Sequence, residues 1–170
     1  MRNFSGFRWA LAIACAPLLL SGTSAPAGTG GVKVMRSIPF ADGSGASDKV
    51  KSECRLESRV PEFLSKFAGD VELVEGRPGN QGRVLEMSIT HVHAPSGGAF
   101  SGPKILTVKG RLLEDGKEIS NFTATRYSGG GVFGGYKGTC SIVGRCAKAI
   151  GKDISKWLQN PAKDAHLGDG

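Results

Sequence analysis

The chain has 170 residues, 39% of them hydrophobic and 22% charged, and carries a formal net charge of +7. That length fits one domain. The basic residues are scattered and aromatics make up only 7%, which argues against a nucleic-acid surface and leaves loose association with anionic surfaces as the use of the charge.

The N-terminus reads as a secretory signal peptide over residues 1–27. Arg2 and Arg8 precede an apolar run from Trp9 to Leu20, and no acidic residue occurs before Asp42. Ala25-Pro26-Ala27 supplies the small residues that a signal peptidase requires, with Gly28 as the new terminus. Twelve apolar residues span about 18 Å as a helix, short of the roughly 30 Å hydrocarbon core. No membrane-spanning segment is expected after cleavage. Ala12-Ile13-Ala14-Cys15 offers a second, lipoprotein reading, but it leaves only six apolar residues before the cut. Cleavage after Ala27 removes two arginines and no acid, so the mature chain carries +5.

Residues 28–160 read as a single α+β domain, in the order strand, helix, strand, strand, strand, helix. Val32 to Phe40 suggests an edge strand because of Pro39. Ser47 to Ala68 has apolar residues at helical spacing, with a kink or a division into two helices expected at Pro61. Asp70 to Glu75 suggests a short strand. Val84 to Val92 alternates more clearly, and its pattern sets His91 and His93 on the face of Leu85, Met87 and Ile89. Ile105–Leu113 and Glu118–Tyr127 form a hairpin around Asp115-Gly116.

Thr139 to Leu158 carries one apolar stripe through Ile142, Val143, Cys146, Ala147, Ile150, Ile154, Trp157 and Leu158. Gly144 and Gly151 within it suggest close approach to the sheet. Residues 161–170 read as a disordered tail. The block of elements predicts a mixed sheet of about four strands with two helices on one face.

The mature chain keeps Cys54, Cys140 and Cys146, and export makes a disulfide the expected use. If the first strand runs up, the connections make both helices begin at the same sheet edge. That places Cys54 near Cys140, with Cys54–Cys146 as the alternative. The remaining cysteine then serves as a small core residue.

Two glycine-rich loops, Ser96–Lys104 and Ser128–Gly138, fall at that same edge. They make His91, His93, Phe100, Lys104, Phe133, Tyr136 and Lys137 a candidate binding edge. A His-x-His pair can ligate zinc or copper if a cysteine completes the set, so a metal-binding protein or metal-dependent enzyme is the alternative; side chains lining a sheet end are the commoner use, and no metal site is favoured. Lys137 before the final helix could hold an anion, but the spacing matches no phosphate-binding motif. No catalytic constellation or cofactor motif is present.

From Gly97 to Leu158, four phrases carry a resemblance: Gly-Gly-Ala-Phe-Ser-Gly-Pro-Lys, Glu-Asp-Gly-Lys, Arg-Tyr-Ser-Gly-Gly-Gly-Val-Phe-Gly-Gly-Tyr-Lys-Gly-Thr-Cys and Ala-Ile-Gly-Lys-Asp-Ile-Ser-Lys-Trp-Leu. They resemble uncharacterised exported proteins of Proteobacteria and, more distantly, envelope lipoprotein domains of unknown function. The resemblance implies an α+β fold akin to that of curli-secretion-type outer-membrane lipoproteins. It also implies a periplasmic or secreted address, at the outer membrane in the lipoproteins. It implies no activity. The expected role is a non-enzymatic binding or assembly module whose partner is an envelope protein or an anionic envelope component.

Overall fold

The computed structural model describes residues 31–129, 131 and 134–169. The expected signal segment and Phe133 lie outside the described residues. The elements are β1 (Val32–Met35), α1 (Asp48–Cys54), α2 (Leu56–Phe67), β2 (Val71–Val74), β3 (Arg83–His93), β4 (Lys104–Glu114), β5 (Lys117–Ser128), α3 (Thr139–Trp157) and β6 (Ala165–Gly168). Single 3₁₀ turns at Gly98–Ser101 and Gly134–Tyr136 sit in the two glycine-rich loops.

The α+β class and the mixed sheet are as expected, but the described residues hold six strands rather than four, and three α-helices rather than two. The strand order is β2-β1-β3-β4-β5-β6, so β1, expected at an edge, lies between two strands, and it ends at Met35 before Pro39. β1 lies parallel to both β2 and β3, the β3–β4–β5 meander is antiparallel, and β6 is parallel to β5. The three helices pack on one another on one side of the sheet.

The first helical segment divides at Arg55 rather than at Pro61. Arg55 adopts a left-handed conformation, φ 52°, which costs a residue with a Cβ about 1–2 kcal/mol. Cys54 and Leu56 are both buried, yet two positions apart on one continuous helix they would face nearly opposite ways. The break at Arg55 turns both inward. Pro61 stays inside α2 because the carbonyl it cannot reach, that of Glu57, accepts the backbone N–H of Ile38 at 3.0 Å.

The tail expected to be disordered instead completes the sheet. β6 pairs with β5 from Phe122↔Ala165 to Thr125↔Gly168. Trp157 Nε1 donates to the Ala162 carbonyl at 3.1 Å, and Ser120 Oγ donates to that of Pro161 at 3.3 Å. Arg126 forks onto Asp153 of α3 at 2.7 and 2.9 Å and also bonds Asp169 just beyond β6. Those carboxylates, Asp153 first, hold the Arg126 guanidinium above its usual pKa.

Every residue of the predicted α3 stripe is buried. Its two glycines meet α2 rather than the sheet. A Cβ on Gly151 would lie 2.8 Å from Phe63 Cβ and 2.9 Å from the Leu64 backbone nitrogen. A Cβ on Gly144 would meet only the guanidinium of Arg59, whose closest atom is at 2.6 Å and can swing aside. Gly151→Ala is therefore expected to lower the unfolding free energy by about 1–3 kcal/mol through overpacking. Gly144→Ala should stay within about 1 kcal/mol of wild type, since gained helix propensity offsets the shift of Arg59. Urea denaturation of both variants checks the contrast.

Candidate docking edge

The loop between β3 and β4 is fastened to the start of α3. Thr139 Oγ1 donates to the Pro95 carbonyl at 3.1 Å and accepts the Gly98 N–H at 3.3 Å. Gly98 has φ +60°, and a Cβ there would lie 2.4 Å from the Lys137 carbonyl oxygen, so no side chain fits between the two loops. The Ser101 hydroxyl hydrogen reaches the carbonyls of Pro95 and Gly98, at 3.1 and 3.0 Å.

Lys104 completes this lock from below. Its side chain is 0% exposed, and its ammonium donates to Ser101 Oγ at 2.8 Å and to the Gly102 carbonyl at 3.0 Å. Desolvation pushes its pKa below the usual lysine range. Lys104 was expected on the binding edge. Its burial makes it the support of that edge, with no surface to offer a partner.

Above the lock, two aromatic side chains stand out from the protein. Phe100 is 88% exposed and Tyr136 is 94% exposed. They belong to different loops brought together at Gly135, whose Cβ position lies 3.5 Å from the Phe100 ring. Lys137 follows Tyr136 and is half-buried. The described parts of the two glycine-rich loops thus meet as expected, with Phe100 and Tyr136 on the outside and Lys137 half-buried beside them.

Beside them, a hollow of about 340 Å³ is lined by Lys49, Glu53, Gly97, Thr139 and both bridged cysteines. Cys54 and Cys140 form the disulfide, with Cα atoms 4.8 Å apart. Cys146 is free and buried, and its thiol donates to the Lys104 carbonyl at 3.6 Å. Burial raises its pKa to about 11.

His91 and His93 do not share the face of Leu85, Met87 and Ile89. The β3–β4 register slips between Ile89↔Val108 and His91↔Thr107, which makes Thr90 the extra residue of a β-bulge. One inserted residue reverses the alternation beyond it. Val92 therefore takes the buried position against Leu106, and both histidines are exposed. The cysteines considered as third ligands are bridged or buried, and among the described residues no group of three His, Cys, Asp or Glu is placed to hold a metal ion.

A second concavity escaped the sequence reading. The sheet face away from the helices bears a trough of about 830 Å³. Its charged lining is largely satisfied internally, with Glu86 between Arg111 at 2.7 Å and Arg77 at 3.3 Å. The hydrogen bond from Arg111, aided by Arg77, holds the Glu86 carboxyl below its ordinary pKa against the cost of burial. The signal was the alternation Glu86, Ser88 on β3 and Lys109, Arg111 on β4, a polar face without a covering helix.

No protein-family model and no curated protein matches this chain. Its fold is similar to that of a crystal structure described as an uncharacterized protein, with a TM-score of 0.52 and 12% identity over 75% of this chain and 92% of that one. Weaker similarity extends to a PelC dodecamer from Paraburkholderia phytofirmans, with a TM-score of 0.42 and 17% identity over 71% of this chain and 85% of that one. A minor lipoprotein from Acinetobacter baumannii gives a TM-score of 0.43 and 13% identity over 79% and 96%. At these identities the first likeness shows a shared fold, and the other two add no argument.

The disulfide joins residues 86 positions apart. Cys54→Ser or Cys140→Ser should each lower the unfolding free energy by about 2–5 kcal/mol, measured by denaturant titration. Cys146 should resist thiol reagents until the protein unfolds. Its unfolded thiol ionises near 9.0 and the folded one near 11, so the unfolded state binds fewer protons between those values. The Cys146 contribution to stability is present below that window and is lost as pH rises through it. Cys146→Ala should remove this component of a stability–pH curve.

Proposed function

We propose that this chain is an exported, non-enzymatic binding module of the cell envelope, docking through the edge formed by its two glycine-rich loops. The observation that carries the reading is the near-complete exposure of Phe100 and Tyr136, where the two loops meet at Gly135 and the turn bearing Phe100 is tied to the start of α3. Large apolar side chains exposed together, on a braced scaffold, mark an interaction site rather than a core defect. Export is supported by the apolar run ahead of Ala25-Pro26-Ala27 and by a disulfide suited to an oxidising compartment.

Purified protein starting at residue 28 should bind washed cell envelopes, and the double variant Phe100→Ser/Tyr136→Ser should bind roughly tenfold or more weakly. Both side chains are exposed, so the melting temperature should not change. Undiminished envelope binding by the double variant places the site elsewhere on the molecule.

A further inference from the structure

We infer that the surface this edge docks on is an anionic lipid bilayer, with Phe100 and Tyr136 entering the headgroup region. The inference rests on the docking edge proposed above and names its partner. Charge distribution along the chain is the first support. No Asp or Glu occurs from residue 87 to 113 or from residue 119 to 152, the two stretches that contain the glycine-rich loops. The second stretch contributes Lys137 and Arg145. Arg145 reaches the loop itself, with its guanidinium 2.8 Å from the Cβ position of Gly131. The hollow beside the loops is lined by one acid, Glu53, together with Lys49. An edge of this sign complements phosphate headgroups, each engaged cation adding to the attraction.

The shape of the patch is the second support. Two aromatic rings offer about 300–500 Å², a fraction of the about 1,200–2,000 Å² that a stable protein interface buries. A bilayer needs no matching pocket, and aromatic side chains favour its interface. Glycine and serine occupy positions 97, 98, 101 and 102 beside Phe100 and positions 134, 135 and 138 beside Tyr136. They hold back no bulk that would keep Phe100 or Tyr136 away from the surface. The polar lock beneath, from Lys104 through Ser101 to Thr139, holds the turn that carries Phe100 in place before contact, so little backbone ordering remains to be done there on binding.

The test is co-sedimentation of residues 28–170, which contain every element of the fold and omit the apolar N-terminal run that would itself enter lipid. The probes are vesicles of equal parts phosphatidylethanolamine and phosphatidylglycerol, against vesicles of phosphatidylcholine alone. Wild type should sediment with the anionic vesicles, and roughly tenfold less with the neutral ones. Phe100→Ser/Tyr136→Ser should lose on the order of tenfold or more on the anionic vesicles with an unchanged melting temperature. Equal sedimentation of wild type and double variant overturns the inference, as does equal binding to the two vesicle types. Envelopes digested with protease separate the two levels of the reading. Binding that requires Phe100 and Tyr136 but disappears on digestion retains the docking edge and rejects lipid as its partner. Binding to intact envelopes and vesicles that ignores both rings rejects the edge itself.

Discussion

The bridge between Cys54 and Cys140 decides where α3 begins, and α3 in turn decides where both glycine-rich loops can lie. Cys54 is the last residue of α1 and Cys140 the second of α3, so the bond ties two helix ends at one margin of the sheet. From that anchor the α3 stripe runs over β4 and β5. The residue before the bridge, Thr139, catches the β3–β4 loop through Pro95 and Gly98. A covalent constraint in the chain entropy thus becomes a geometric constraint on a surface loop. Among the described residues neither loop contains a regular element longer than one 3₁₀ turn, and such segments ordinarily sample many conformations. Here Pro95 and Gly98 of the β3–β4 loop are tied to the first residue of α3.

The opposite end of α3 is held by a different means. Gly151 lets α2 approach until Phe63 and Leu64 touch the α3 backbone. Trp157 packs edge-on against Phe122 with ring centroids 4.8 Å apart. Asp153 receives the fork from Arg126, which continues to Asp169. The charge pair is only partly exposed, so it is screened less than a surface pair and fixes orientation as well as adding attraction. These contacts explain why the chain after Pro161 adds a strand instead of fraying.

Much of this was legible from the residues. The α3 stripe, the Asp115-Gly116 hairpin and the Cys54–Cys140 pairing follow from periodicity, turn chemistry and strand direction, because each is a strong local signal or a direct consequence of connectivity. The meeting of the two glycine-rich loops followed from the same directions. What escaped were features that depend on one residue or on distant partners. A single bulge at Thr90 reversed the faces of His91 and His93, and a period of two contains no warning of an insertion. β6 is four residues long and includes His166 and Gly168; its strand character comes from pairing with β5, not from propensity. Arg55 adopts a backbone conformation for which glycine is the usual marker, so the helix boundary moved away from the proline that seemed to announce it.

Lys104 shows most clearly what the edge requires. A leucine would fill the same space without the desolvation that lowers the lysine pKa. It would also leave Ser101 Oγ and the Gly102 carbonyl without their donor, and these two groups hold the turn that carries Phe100. The buried ammonium therefore trades stability for position. Its neighbour Cys146 is subject to the same low dielectric with the opposite result, because burial favours the neutral form of each group. For Lys104 the unfolded chain binds more protons below its ordinary pKa of 10.5, so this contribution to stability increases as pH rises through the window. For Cys146 the unfolded chain binds fewer, and its contribution falls. The two slopes oppose each other in alkaline solution, while near neutrality the thiol costs nothing and the lysine alone bears the cost of burial. The cation at the start of β4 thus fixes the Gly98–Ser101 turn through two hydrogen bonds, against a desolvation cost that no surface lysine would meet.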